Sequence, residues 1–377
     1  MPKEENRYTM FRKLSVGMLL LCALISSVAV AQESESQEEP AKKKKERNWS
    51  ILPIPAVAFT PETRWLFGPV AAITYTPPKD TVTRPTTFTV YAIYTQERQF
   101  YTIVSWNTWT KNNLYNITGR VDYYDFPEFF YGVNFDNPAS NRELYSSKRL
   151  EAFVTVGREI RKDLYGGLMY YNQTMWDMEI EPGGVFEREN VVGADGGLHS
   201  GVGYLLRYDT RVQPLNPKES MYFELNHIFF NSAFGSARNF SRLSYDFRKF
   251  WEIPPLWGED NHILAVQSTG MFHTGEVPFR MTAAMGGRPV RGYYWGRFRD
   301  RQYWSAQVEY RMPVWWRLGV TGFVGVGQMA PNLAGFGSSP LRPGVGVGLR
   351  VLALAGINLR ADFTWGLGVE DSESRSN

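Results

Sequence analysis

The sequence predicts an all-β protein: a transmembrane antiparallel β-barrel of about 15–16 strands, preceded by an N-terminal signal peptide. Three observations carry this expectation. Aromatic residues are abundant, with 24 Phe, 21 Tyr and 12 Trp making up 15% of the 377 residues. Tyr and Trp favour places that are apolar at one end and wet at the other, as at the two faces of a bilayer. The mean hydropathy is nonetheless too polar for a bundle of membrane helices, and beyond the N-terminal segment no apolar run is long enough for one. Finally, from Trp49 onward apolar and polar residues alternate with a period of two. Strands that enter lipid must close into a barrel, because hydrocarbon offers no partner to an open edge. With 41 basic and 38 acidic side chains the net charge is only +3, which argues against nucleic acid as a partner.

The amino terminus reads as a targeting segment. Arg12 and Lys13 precede an apolar stretch over residues 14–30, which ends in Ala29-Val30-Ala31. A charged start, an apolar middle and a small-residue end describe a secretory signal peptide, residues 1–31, cleaved after Ala31. The alternative is an uncleaved helical anchor, which Ser15, Ser26 and Ser27 weaken. The single cysteine, Cys22, lies inside this run, so the mature chain would have no disulfide, no Cys-ligated metal and no thiol nucleophile. Bulky Leu21 before it argues against lipid attachment there. Residues 32–48, QESESQEEPAKKKKERN, are an acidic block followed by a basic one and read as a disordered charged linker. The expectation is that no folded periplasmic domain fits between this cleavage site and the first strand.

Residues 49–370 are expected to form the barrel and 371–377 a polar tail. Strands are expected at about 53–59, 64–76, 86–97, 99–111, 113–125, 146–159, 163–176, 198–210, 220–232, 238–251, 262–273, 302–313, 317–328, 342–352 and 356–367. Asn116, Thr118, Arg120 and Asp122 alternate with apolar neighbours, as do Ser305, Gln307, Glu309 and Arg311, and Asn358, Arg360, Asp362 and Thr364. Mixed charge in register on one face suits a hydrated lumen, and the run lengths suit a tilted membrane strand. A soluble sandwich would also alternate, but its strands are commonly shorter and its outward face is the polar one. The first strand is expected to be short and interrupted by Pro53 and Pro55, leaving an imperfect seam against the last. Residues 126–145, 177–197 and 274–301 are long enough for extracellular loops, whereas Asn112-Asn113 and the region of Arg161 and Lys162 look like tight turns.

One loop carries a signature. Residues 285–300 read MGGRPVRGYYWGRFRD, and the strand that follows contains Glu-Tyr-Arg-Met-Pro from Glu309. Here the chain resembles the BamA/TamA superfamily of outer-membrane barrels, also called bacterial surface antigens. Further stretches look like the strand and turn signatures of the same family: TPETRWLFGP from residue 60, RYDTRVQPLNP at 207–217, GVGVGLR at 344–350 and NLRADF at 358–363. The resemblance implies that a lumen loop, residues 274–301, folds back inside the barrel. Its matching positions are Val290, Arg291, Gly292 and Tyr293, with Glu309 as the wall partner of the arginine. The residues support this pairing separately. Alternation places Glu309 on the lumen face, an Arg can grip a carboxylate with two parallel hydrogen bonds, and Gly292 permits close approach of the backbone. The alternative is a plain loop arginine solvated at the rim.

Two departures stand out. The family usually places an Asp in the strand after the Glu-Tyr-Arg run, where this chain has Phe323-Val324-Gly325-Val326-Gly327, so a second acidic contact to Arg291 is in doubt. The chain also ends on VEDSESRSN where relatives commonly have a final aromatic-ended strand. Other chemistry is not indicated. His199, His227, His262 and His273 are scattered without metal-ligand spacing. Glu224 and His227, three apart on a strand, point to opposite faces. Gly344-Val345-Gly346-Val347-Gly348 lies in a strand pattern with no following helix, which disfavours a phosphate loop. The expectation is therefore a non-enzymatic protein of the bacterial outer membrane with no cofactor and no metal. Its partners would be outer-membrane lipids, client outer-membrane or secreted proteins, and a periplasmic or lipoprotein partner. The resemblance implies insertion or translocation of such clients. The alternative is a passive pore or a structural barrel that has lost that role.

Overall fold

The computed structural model describes residues 48–60, 64–212, 214, 216–257, 259–287, 290–352, 358–367 and 375–376. The expected signal peptide, and the linker up to residue 47, lie outside the described residues. Sixteen strands follow one another in a single antiparallel sheet in chain order. They are β1 (Trp49–Thr60), β2 (Arg64–Tyr75), β3 (Thr86–Thr95), β4 (Phe100–Trp109), β5 (Tyr115–Phe130), β6 (Glu143–Arg161), β7 (Leu164–Glu179) and β8 (Gly197–Asp209). After these come β9 (Ser220–Phe230), β10 (Phe240–Ile253), β11 (His262–Gly275), β14 (Gln302–Trp315), β15 (Leu318–Ala330), β16 (Arg342–Leu352), β17 (Asn358–Gly366) and β18 (Arg375–Ser376). Between β11 and β14 a separate two-stranded hairpin is made by β12 (Ala283–Met285) and β13 (Phe298–Asp300).

The two faces of the sheet invert the usual distribution of polarity. Asp122, Thr155, Gln173, Ser305, Glu309 and Asp362 are buried on the inner face, whereas Val121, Leu168, Val324, Val347 and Phe363 are exposed on the outer one. This is the distribution of a barrel whose outer solvent is hydrocarbon. Among the described residues no helix is long and apolar enough to cross a membrane, which says nothing of strands.

Strand parity puts every connection longer than the tight turns into one of two rims. The stretches 131–142, 180–196, 231–239, 276–301 and 331–341 share one rim. Tight turns such as those at Asn112–Asn113, Lys162–Asp163 and Trp316–Arg317 belong to the other. Asn112, Asn113, Asp163 and Trp316 take positive φ of 59, 60, 63 and 50°, the left-handed conformation that reverses a chain in few residues. The 76–85 connection braces this rim: Arg84 donates to Asp163 Oδ1 at 3.0 Å and to the Asp209 carbonyl at 2.8 Å, tying it to two neighbouring turns.

Two features differ from expectation. The first strand is neither short nor interrupted, since β1 pairs with β2 along its whole length, Pro53 opposite Ala71 and Pro55 opposite Pro69. The Thr76 N–H donates to the Asn48 carbonyl at 2.9 Å, and these residues lie opposite one another in that register. Even-numbered residues of β1 therefore face β2, and the odd ones, both prolines included, face the free edge. There a missing N–H disturbs no ladder. The second difference is in the expected polar tail, where Arg375 and Ser376 pair with Thr364 and Phe363 as β18. The outer edge of β17 is otherwise open, and even two residues there satisfy backbone groups. Among the described residues no pairing joins β1 to β17 or β18.

Candidate functional site in the lumen

The described residues of the 276–301 connection pack inside the barrel mouth. Ala283, Met285, Val290, Tyr293 and Phe298 form a buried apolar cluster with Tyr303 of β14 and Met329 of β15. At the other end of the connection Phe279 packs into a second cluster with Phe130, Tyr145, Met175, Val185 and Phe186. The last two belong to a helical turn, Val185–Arg188, in the neighbouring long connection. The Glu143 carboxylate of β6 accepts the N–H groups of Glu181 at 3.0 Å and Phe186 at 3.2 Å, which holds that turn in place.

The five residues expected at the site come together. Arg291 is buried and its Nη2 donates to Glu309 Oε2, while Nη1 donates to Asp362 Oδ2 at 3.0 Å. Nη2 also lies 3.3 Å from Gln307 Oε1, and the guanidinium sits 3.5 Å from the centre of the Phe323 ring. The doubt about a second acidic contact is thereby corrected. Asp362 of β17 supplies it, and Phe323 of β15, where the acid was sought, supplies an aromatic face for the cation instead. Each carboxylate is shared with a second arginine: Arg311 Nε donates to Glu309 Oε1 at 2.7 Å and Arg350 Nη1 to Asp362 Oδ1 at 2.5 Å. Three guanidinium groups and two carboxylates thus form one network across β14, β16 and β17. In a dry setting such a network holds only when nearly every lone pair is used.

Tyr293 anchors the same loop a turn further on. Its hydroxyl is shared between the carbonyls of Pro343 at 2.7 Å and Leu367 at 2.8 Å, at the ends of β16 and β17. Burial raises its pKa, so the group stays a donor. Gly292 between the two anchors has φ of 109°, and a Cβ there would stand 2.5 Å from the backbone of Trp365 and Gly366. The wall is carved to match. A Cβ on Gly344 would meet the Arg291 carbonyl at 2.2 Å, one on Gly346 the Phe323 ring at 2.4 Å, and one on Gly348 the Asp362 carboxylate at 2.2 Å. The alternating Gly-Val-Gly-Val-Gly run is therefore the floor of the arginine network, glycine toward the lumen and valine toward lipid. Local sequence identifies it only as strand glycine. Its signal was the phase of the alternation, which puts every glycine on the lumen face. Asp362 was missed as a partner although the same alternation placed it inward.

Elsewhere, His273 Nδ1 lies 2.7 Å from the Arg301 carbonyl and His262 Nδ1 2.5 Å from the Tyr310 hydroxyl. Among the described residues no group of His, Cys, Asp and Glu is arranged to hold a metal ion.

Comparison with known proteins is consistent with this architecture. No curated protein sequence matches the chain. Among solved structures, BamA from Haemophilus ducreyi lacking POTRA domains 1–3 is similar, with a TM-score of 0.56 at 16% identity over 88% of this chain and 68% of that one. CdiB from Acinetobacter baumannii gives a TM-score of 0.58 at 13% identity, over 88% of this chain and 58% of that one. At such identities the likeness is one of fold, and the chain spans less than two thirds of the second protein. The model of the Omp85 superfamily domain matches residues 84–376. That span takes in the lumen loop, all three wall strands of the arginine network and the glycine floor, and the chain is an outer-membrane β-barrel that belongs to the Omp85 superfamily.

Proposed function

We propose that this barrel inserts or translocates other proteins at the outer membrane, without enzymatic chemistry, cofactor or metal, and that the lumen loop is its resting lock. One observation carries the reading: Arg291 of the lumen loop joins Glu309 of β14 to Asp362 of β17. A loop that fills the mouth while bridging the last wall strands closes the lumen and braces the strands next to the seam. Family membership and the fold shared with BamA and CdiB support a role toward client outer-membrane or secreted proteins. In this reading the chain arrives through a signal peptide cleaved after Ala31 and works with outer-membrane lipids and a periplasmic or lipoprotein partner. The test sets two measurements side by side on the refolded chain: conductance in a planar bilayer, and the rate at which a second barrel protein inserts into vesicles that contain it. Low resting conductance with accelerated insertion is expected. High resting conductance without acceleration would overturn the reading.

A second reading, a passive pore or structural barrel, draws on the free edge of β1. Pro53 and Pro55 remove two adjacent donors from the side that an incoming strand would pair with. The same pair of measurements separates the two.

A further inference from the structure

Above the arginine network, between the lumen hairpin and the wall of β5–β11, lies a chamber of about 530 Å³. Its charges do not balance. Among the arginines that line it, Arg120 is bonded to Asp122. Two of its carboxylates are already held from outside the chamber, Glu224 by Arg207 at 2.6 Å and Asp246 by Arg248 at 3.0 Å. Four lining arginines remain, Arg149, Arg242, Arg280 and Arg299, and the acids beside them are Glu151 in the lining and Glu128 behind it: Arg149 pairs with both and Arg280 with Glu128. Four cations less two carboxylates leaves a surplus of two positive charges around this space.

Arg299 is the clearest sign of this surplus. It is 5% exposed and lines the chamber, and its nearest counter-charge, Glu128, is already paired with Arg149 and Arg280. Burial, and after it the neighbouring Arg280, pull its pKa down to about 10, as expected for a guanidinium short of counter-charge. Two others are incompletely used. The buried Nε atoms of Arg149 and Arg242 make no hydrogen bond, and both groups lean on tyrosine rings, Tyr124 at 4.0 Å and Tyr171 at 4.5 Å. Buried donors without acceptors are costly, and a doubly charged anion would satisfy them together.

We propose that this chamber binds a small dianion of the phosphate-monoester class, gripped by Arg299, Arg149 and Arg242. A planar guanidinium matches a phosphate edge with two parallel bonds. The volume exceeds that of a bare phosphate, and the tyrosine rings give an attached organic group a surface to rest on. The phosphate could belong to a soluble metabolite or to a phosphorylated glycolipid of the membrane.

The experiment is calorimetric titration of the refolded full chain with inorganic phosphate and with a hexose phosphate, in detergent free of lipid. Saturable 1:1 binding is expected, tighter for the hexose phosphate. Arg299→Gln should weaken it by about tenfold or more, since a charge-assisted bond is lost. Lys218→Gln, which removes an exposed charge on the tight-turn rim, should leave it unchanged. Should Arg299→Gln fail to fold, Arg242→Gln takes its place. Titration of the chain in vesicles with and without a phosphorylated glycolipid identifies the source: competition by the glycolipid assigns the site to the lipid, and its absence assigns it to a soluble ester. No heat up to about 10 mM of either phosphate, or equal weakening in Lys218→Gln, would overturn the proposal.

Discussion

Arg291 has two acidic partners, and the expected mutational pattern is therefore asymmetric. Arg291→Ala removes the cation that joins two buried carboxylates, but Arg311 still holds Glu309 and Arg350 still holds Asp362, so the docked loop should lose roughly 1.5–3 kcal/mol, the range for hydrogen bonds to charged groups. Glu309→Ala should cost less, because Asp362 still holds the cation. The double variant should cost little more than Arg291→Ala alone, since the contact is lost only once. Conductance in a planar bilayer and heat-resistance of the folded band on a gel are the readouts, and additive effects would show that the two side chains act separately. Arg291→Lys should fail to rescue, for a point charge can neither span both carboxylates nor stack on Phe323 as a planar fork does. Gly292→Ala tests the backbone rather than the charge. At φ of 109° and with Trp365 and Gly366 against it, an alanine should cost on the order of 1–3 kcal/mol of loop docking and raise conductance in the same direction as Arg291→Ala.

Among the elements, β1 decides how the seam can be used. Its free edge exposes the backbone groups of the odd-numbered residues, and Pro53 and Pro55 leave that edge without two donors. Replacing both prolines with valine restores them. If an incoming strand pairs here, insertion of a reporter barrel should quicken by up to about fivefold for each bond regained, the worth of one net hydrogen bond. An unchanged rate would locate entry elsewhere and favour the pore. A disulfide joining β1 near Val57 to β17 near Phe363 should abolish insertion while the fold persists. All fifteen wall strands from β1 to β17 outside the lumen hairpin were legible in the sequence, because lipid on one side and water on the other force a period of two on every one. Glu309 was legible for the same reason. What was not legible is whatever depends on distance across the lumen: that Asp362, three strands from Glu309 in the sheet, meets the same guanidinium, and that the long connections fold inward. Phe279 and Phe186 lie far apart in the chain and carry no local pattern that announces their contact.

For the molecule as a whole, the outward face sets the membrane depth. Val324 stands mid-way along β15 and is exposed toward lipid, so Val324→Arg should destabilise by about 2–4 kcal/mol in vesicles, whereas Leu318→Arg at the strand end should cost about 0–1 kcal/mol. Denaturant titration of the vesicle-embedded protein checks both, and equal costs would mean that the band of hydrocarbon contact is misplaced. The inner face beside the seam is rich in glycine. Gly325 and Gly327, then Gly344, Gly346 and Gly348, then Gly366 point inward across three consecutive strands. Where glycine stands at these positions, the sheet lacks the cross-strand side-chain pairs that stiffen it. While the loop sits on them, Val290, Arg291 and Tyr293 act as borrowed side chains and the flank is as rigid as the rest. Once the loop lifts away, that quarter of the wall becomes a compliant membrane hinge beside the seam. Release of a single internal segment would therefore change how the cylinder bends, as well as what passes through it.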